Sequence, residues 1–178
     1  MAPQAAMSQL QKESLLFLEE TFETHHGIYI DKGTTLFDTL AGLTAAKASF
    51  RASDRTASVV AHIRHIVFYL QVLQKSIRGE EVGKVNWREI WETDRPATPD
   101  EWSAVVQALK TEWANIRRLH AEPATWERED AHGEFIAIAI HTAYHLGAVR
   151  QAIAVIESGA AADRHRMGRV DAEGERTR

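Results

Sequence analysis

The stretch Val59–Ile77, VVAHIRHIVFYLQVLQKSI, decides the class of fold. Its residues Val59, Ile63, Ile66, Leu70, Leu73 and Ile77 recur at intervals of four and three, the pattern of a helix with one face in a core. Ser58 or Thr56 can cap its first turn, and Gly79 stops it. Two histidines, His62 and His65, fall inside the broad apolar arc. A core-facing imidazole must be hydrogen-bonded or liganded, or its burial is costly, so both need a partner.

Towards the N-terminus, Leu10, Leu15, Phe17, Leu18 and Phe22 recur at helical spacing and predict a helix over 7–23. His25-His26-Gly27 ends it, with Gly27 as a left-handed terminator. The Gly-bounded run 27–33 is too short for a helix and reads as an ordered connection. Thr34 or Thr35 then opens a short helix through Leu36, Leu40 and Leu43.

Towards the C-terminus, the linker 80–97 carries Trp87 and Trp91, and is expected to lie across the bundle with both indoles tucked in and a short helical turn formed. Thr98-Pro99-Asp100-Glu101 combines a cap, a first-turn proline and a glutamate three residues after the cap. The helix it opens runs through Trp102, Leu109, Trp113 and Leu119, until Pro123 breaks it. The last helix starts near Asp130. From 159 the composition turns to small and charged residues, which predicts a disordered tail over 159–178. No strand-like alternation and no internal repeat interrupts the pattern. The expected architecture is all-α: a four-helix bundle with one additional short helix, forming a single domain over 1–158.

The last helix carries His141 and His145, four residues apart and so on one face. With Ile138, Val149 and Ile156 marking the buried direction, His145 lies about 20° from it and His141 about 60°. Nine histidines in 178 residues produce such a spacing readily by chance, so the pair counts only together with a third ligand from another core helix. His62 and His65 both qualify, and the wheel slightly prefers His62. Three neutral nitrogens around one ion would leave room for water or substrate.

The remaining residues mostly exclude. With no cysteine there is no disulfide, no thiolate metal site, no nucleophilic cysteine and no covalent c-type haem. A net charge of -4, with acids and bases interspersed, provides no basic field for nucleic acid. No apolar stretch approaches the roughly 20 residues of a membrane span, and 1–9 does not resemble a signal peptide. A soluble, cytoplasmic protein is expected. A peptidase His-Glu-x-x-His is absent, and only Glu23-Thr24-His25-His26 offers the Glu-x-x-His that a di-iron site needs in pairs.

Ser58-Val59-Val60-Ala61-His62-Ile63-Arg64-His65 resembles the second-helix motif of the DinB/YfiT-like superfamily, where a helix-opening Ser or Thr precedes the metal-binding His by seven residues. The run from His141 to Gln151, HTAYHLGAVRQ, resembles that superfamily's last-helix motif, two histidines four apart followed by a Gly and a basic or amide residue. The likeness covers roughly residues 7–158. It implies a metal site of His65, His141 and His145, selecting His65 against the wheel and leaving His62 to support the ligands or to pack. This chain departs from many relatives at Ala148, where they carry Gln after the Gly.

The resemblance further implies a divalent metal ion, usually zinc or nickel, and a homodimer. It points to a small-molecule substrate and two reaction modes, hydrolysis or transfer of a low-molecular-weight thiol held as thiolate. The thiol cosubstrate would bring the sulfur that this cysteine-free chain lacks. The contrasting expectation is a helical binding or stress-response protein whose metal is structural or absent. Neither reading names a catalytic residue. Glu134, on the same face as His141, is a candidate base but reads more simply as a solvated acid. Tyr144 points away from the core. Tyr29 and Asp31 could line a mouth, or form an ordinary turn.

Overall fold

The computed structural model describes residues 8–174, with side chains described as far as residue 159. Helix α1 spans Gln9–Phe22, α2 Leu36–Leu40, α3 Ala45–Ala48, α4 Val59–Ile77, α5 Glu89–Glu92, α6 Pro99–Ala121 and α7 Ala131–Gly174, with a 3-10 turn at Pro123–Glu127. No strand occurs among the described residues. No described helix is long and apolar enough to cross a membrane.

Local chemistry explains most of the boundaries. Ser58 caps α4, its Oγ accepting from Ala61 N at 3.0 Å. Thr98 and Glu101 form the reciprocal capping box of α6, with Pro99 at the first helical position. At the far end of α4, Gly79 takes φ +72°, Gly79 N donates to Ser76 O and Glu80 N to Lys75 O, the paired bonds of a left-handed helix stop. A Cβ there would also stand 2.4 Å from the Arg128 guanidinium.

Two short helices, α2 and α3, replace the single one expected through Leu36, Leu40 and Leu43, and α5 is the helical turn expected in the linker. Gly42, at φ +72°, cannot continue α2, so Leu43 falls between helices and Thr44 caps a new one. Gly27 is left-handed as expected (φ +77°), but it lies beyond the α1 cap at Glu23 rather than directly after the helix. The backbone of α7 continues as helix to Gly174, past Ile156, where the apolar pattern stops. The tail expected over 159–178 falls where side chains beyond 159 are not described, and 175–178 lie outside the described residues.

The four long helices close a ring: α4 packs on α6 and α7, and α1 packs on α7 and α6. Leu18, Phe22, Ile63, Ile66, Leu70, Leu109, Ile116, Phe135, Ile138 and Val149 are fully buried inside it. Each such side chain contributes about 1.5–3 kcal/mol relative to exposure. Phe22 stacks on Trp113 with ring centres 4.5 Å apart, and Trp102 Nε1 donates to Leu43 O at 2.8 Å, joining α6 to the α2–α3 connection.

One buried carboxylate holds the connection after α1. Glu20 is wholly inaccessible and accepts from the N–H groups of His26, Ile28, Tyr29 and Ile30 at 2.8–3.0 Å. Burial alone would raise its pKa, but these backbone donors outweigh it and hold the group at about 2. Tyr29 is thereby laid against α1, stacked on Phe17 and 2.5 Å from Thr21 Oγ1. It faces Ala139, Ile140 and Ala143 of α7 rather than the histidine pair.

Candidate metal centre

The seam between α4 and α7 gathers His62, His65, His141 and His145 in one layer. His65 Nε2 and His141 Nε2 face each other at 3.1 Å. One ring nitrogen from each of His65, His141 and His145 lies within 4.8 Å of the others. Two nitrogens bound at 2.0–2.1 Å to one tetrahedral ion stand about 3.3 Å apart, so the His65–His141 separation suits a shared ion. The residues that the resemblance selected are thus brought together by the fold.

His62 stands behind this trio. Its Nδ1 is 3.0 Å from His145 Nδ1, so one of those two atoms donates and the other accepts. If His145 offers Nε2 to an ion, its Nδ1 carries the proton and His62 Nδ1 accepts, which fixes both the tautomer and the ring plane of His145. The wheel's preference for His62 as the inward residue is reversed in the structure: His65 is 6% exposed while His62 is only half-buried.

The cluster is proton-poor at neutral pH. Burial depresses His65. Burial and the nearby His65 take His141 to about 4. Burial, with His141, His65 and His62 adjacent, takes His145 to about 3. His62 is also lowered by burial and by His65, with Asp94 pulling the other way. Neutral imidazoles present lone pairs that a cation can use. The trio is also short of hydrogen bonds: Nδ1 of His65 and Nδ1 of His141 are buried with no partner among the described residues.

The linker 80–97, expected to lie across the bundle with a short helical turn, roofs the site and carries that turn as α5. Helix α5 sets the Trp91 indole 4.6 Å from the His65 ring, 5.3 Å from His62 and 5.8 Å from His145, measured between ring centres. Trp87 lies edge-on to His65 at 6.3 Å and packs on Phe68 and Tyr69, but remains 40% exposed, so only Trp91 is tucked in as expected. Tyr69 stacks flat on His141, with centres 3.6 Å apart.

Asp94 holds this roof down. Its Oδ1 accepts from Ser58 Oγ at 2.6 Å and its Oδ2 from Ser58 N at 3.0 Å, so a carboxylate sits on the N-terminus of the helix that bears His62 and His65. Asp94 and Tyr69 were missed by sequence reading. Tyr69 lies one turn beyond His65 on the same stripe and could have been found by its spacing. Asp94 gives no such signal, because its partner is 36 residues away.

Other candidates fall elsewhere. Glu134 accepts from Ser76 Oγ, with its second oxygen buried and without a partner among the described residues. It is therefore neither the solvated acid that the simpler reading expected nor a member of the histidine layer. Tyr144 is 74% exposed. A further buried histidine, His120, is a satisfied core residue: Ser14 Oγ donates to Gln11 O, so it accepts from His120 Nε2 at 3.1 Å. Comparison of the chain with family models, curated proteins and solved structures finds no match in any of the three.

Proposed function

We propose that the chain is a DinB-like metal-binding protein, a four-helix bundle in which His65, His141 and His145 hold one divalent ion with positions open to substrate. The observation that carries the reading is the convergence of imidazole nitrogens from α4 and α7, with His65 Nε2 and His141 Nε2 at 3.1 Å. The closed ring of α1, α4, α6 and α7 supports the bundle, and the Ser58 cap seven residues before His65 supports the motif likeness. Three neutral nitrogens suit zinc or nickel.

An ion held there would supply Lewis acidity to an oxygen or sulfur of a small-molecule substrate, which makes a hydrolase or a low-molecular-weight-thiol transferase the reaction class. The chain's own contribution is positional. His62 orients His145, Tyr69 backs His141, and Trp91 keeps bulk water from the His65 side. A cytoplasmic homodimer completes the reading. Ile136, Ile140 and Tyr144, exposed at four-residue intervals along α7, are the face that supports a dimer.

A second reading is a non-catalytic binding or stress-response protein with a structural ion or none. The burial of His65 and His145, each 6% exposed beneath Trp91, favours it. Metal analysis of the purified protein beside His65→Ala and His141→Ala separates the cases. Stoichiometric metal in the parent, lost from both variants with helical content retained, supports the open site. Loss of fold together with metal favours a structural ion. A metal-free parent with two indifferent variants would sink the site.

A further inference from the structure

Next to the histidine layer, between the start of α4, the middle of α7 and the loop 50–57, lies a cleft of about 330 Å³. Phe50, Ala57, Ala148, Ala152 and Val155 wall it, and no Asp, Glu, Lys or Arg lines it. Its polar groups are Thr56, Gln151 and the His62 imidazole. The same His62 ring that lines the cleft contacts His145 through its Nδ1, so one side chain joins the cleft to the metal cluster. Ala148 and Ala152, one helical turn apart, make the space, since a longer side chain at either position would fill it.

The loop wall is held without help from an occupant. Arg51 Nε donates to Thr56 O at 2.8 Å, Arg51 Nη2 to Asp54 O at 2.6 Å, and Ser53 N to Thr56 Oγ1 at 2.9 Å. Arg51 Nε also lies 3.9 Å from Asp94, the carboxylate that caps α4 and anchors the Trp91 segment. Loop, cap and roof therefore meet at one carboxylate, which keeps cleft and cluster in register. A preformed apolar recess with a few polar groups is the usual form of a small-molecule site, and this one is parted from His145 by the His62 ring.

We infer that this cleft seats the uncharged, apolar portion of the molecule that reacts at the histidine centre, a short alkyl or aryl group. Gln151 serves as hydrogen-bond partner for a carbonyl or hydroxyl at the group's outer end. The inference rests on the metal reading above for the reacting end of the molecule. A charged group is disfavoured in the cleft because no opposite charge lines it.

The test uses metal-loaded protein and n-alkyl hydroxamates of increasing length, from acetohydroxamate to octanohydroxamate. The common head group reports on the ion and the tail on the cleft. Affinity is expected to rise about two- to fourfold per methylene over the first few carbons. Ala148→Leu and Ala152→Leu should each abolish that gradient and leave acetohydroxamate binding within about twofold of the parent. An absent gradient, or one that survives both fillings, overturns the cleft and leaves the ion reading standing.

If no hydroxamate binds, the open-coordination reading fails and the cleft is decided alone. n-Hexanol titrated into metal-free protein should shift the Ala57 and Ala152 methyl resonances, and Ala148→Leu should remove the shift. Unmoved methyls overturn the inference. Shifts that follow protein concentration through dissociation of a dimer also overturn it, assigning the cleft to a second copy of the chain.

Discussion

His62 Nδ1 lies 3.0 Å from His145 Nδ1, an imidazole pair in which the half-buried ring holds the nearly inaccessible one. Ligating histidines usually donate their second nitrogen to a carboxylate or carbonyl, and loss of that acceptor costs roughly 10–100-fold in metal affinity. Here another histidine occupies the acceptor's place. His62→Phe is expected to weaken metal binding by about that factor, measured by competition against a chelator, and His62→Gln to recover part of it. Equal affinity in all three proteins would show that His62 merely packs.

Asp94 joins the roof to the cap of α4 through two hydrogen bonds to Ser58, with its side chain 6% exposed. Hydrogen bonds to a charged group contribute about 1.5–3 kcal/mol, and the carboxylate also faces the positive end of the helix. Asp94→Ala should therefore lower unfolding stability by about 2 kcal/mol in urea titration, and Asp94→Asn by less. A change below about 0.5 kcal/mol would mean that the roof is held by its indoles instead.

Glu20 answers four backbone N–H groups with one buried carboxylate. Its folded pKa of about 2 lies below the ordinary 4.5, so its stabilisation is complete above pH 4.5 and drains away as pH falls towards 2. Glu20→Gln, which turns an amide N–H towards these donors, is expected to cost about 2 kcal/mol or more at pH 7. The variant should also show a shallower loss of stability between pH 4.5 and 2. An unchanged acid limb would place the protective charge elsewhere.

His120 carries the opposite chemistry and the same sign. Burial takes its pKa from 6.5 to about 4, against smaller upward pulls from the Gln11 backbone and Glu19. The unfolded chain binds a proton in this window and the folded chain does not, so stability is intact above pH 6.5 and falls as pH drops towards 4. Metal-free His120→Phe should reduce the slope of unfolding free energy against pH by close to one proton in that range. The parent's slope unchanged in the variant would refute the assignment, leaving the seam histidines as its source.

The parts legible in the sequence were those governed by neighbours in the chain. Val59–Ile77 has the bounds read from its stripe, Ser58 and Thr98 cap as their types require, and Pro99 opens α6. His141 and His145 face inward because Ile138 and Val149 on the same helix define that direction. His62 and His65 could not be ranked from α4 alone, since both lie in its apolar arc and the position of α7 decides which ring meets His141. Asp94, Glu20 and His120 were not legible. Each is a polar group whose burial is made tolerable by a partner in a different segment, and hydrophobic periodicity carries no record of such meetings.

The indole of Trp91, 4.6 Å from the His65 ring, gives the chain an optical consequence. Emission from an indole at that range is sensitive to an open-shell ion such as Ni²⁺ and far less so to Zn²⁺. Titration of the two ions should therefore leave different intensities, and Trp91→Phe should shrink the difference to what Trp87, 6.3 Å from the same ring, contributes. The roof over the histidines would then act as an occupancy gauge built into the polypeptide, readable without any added label.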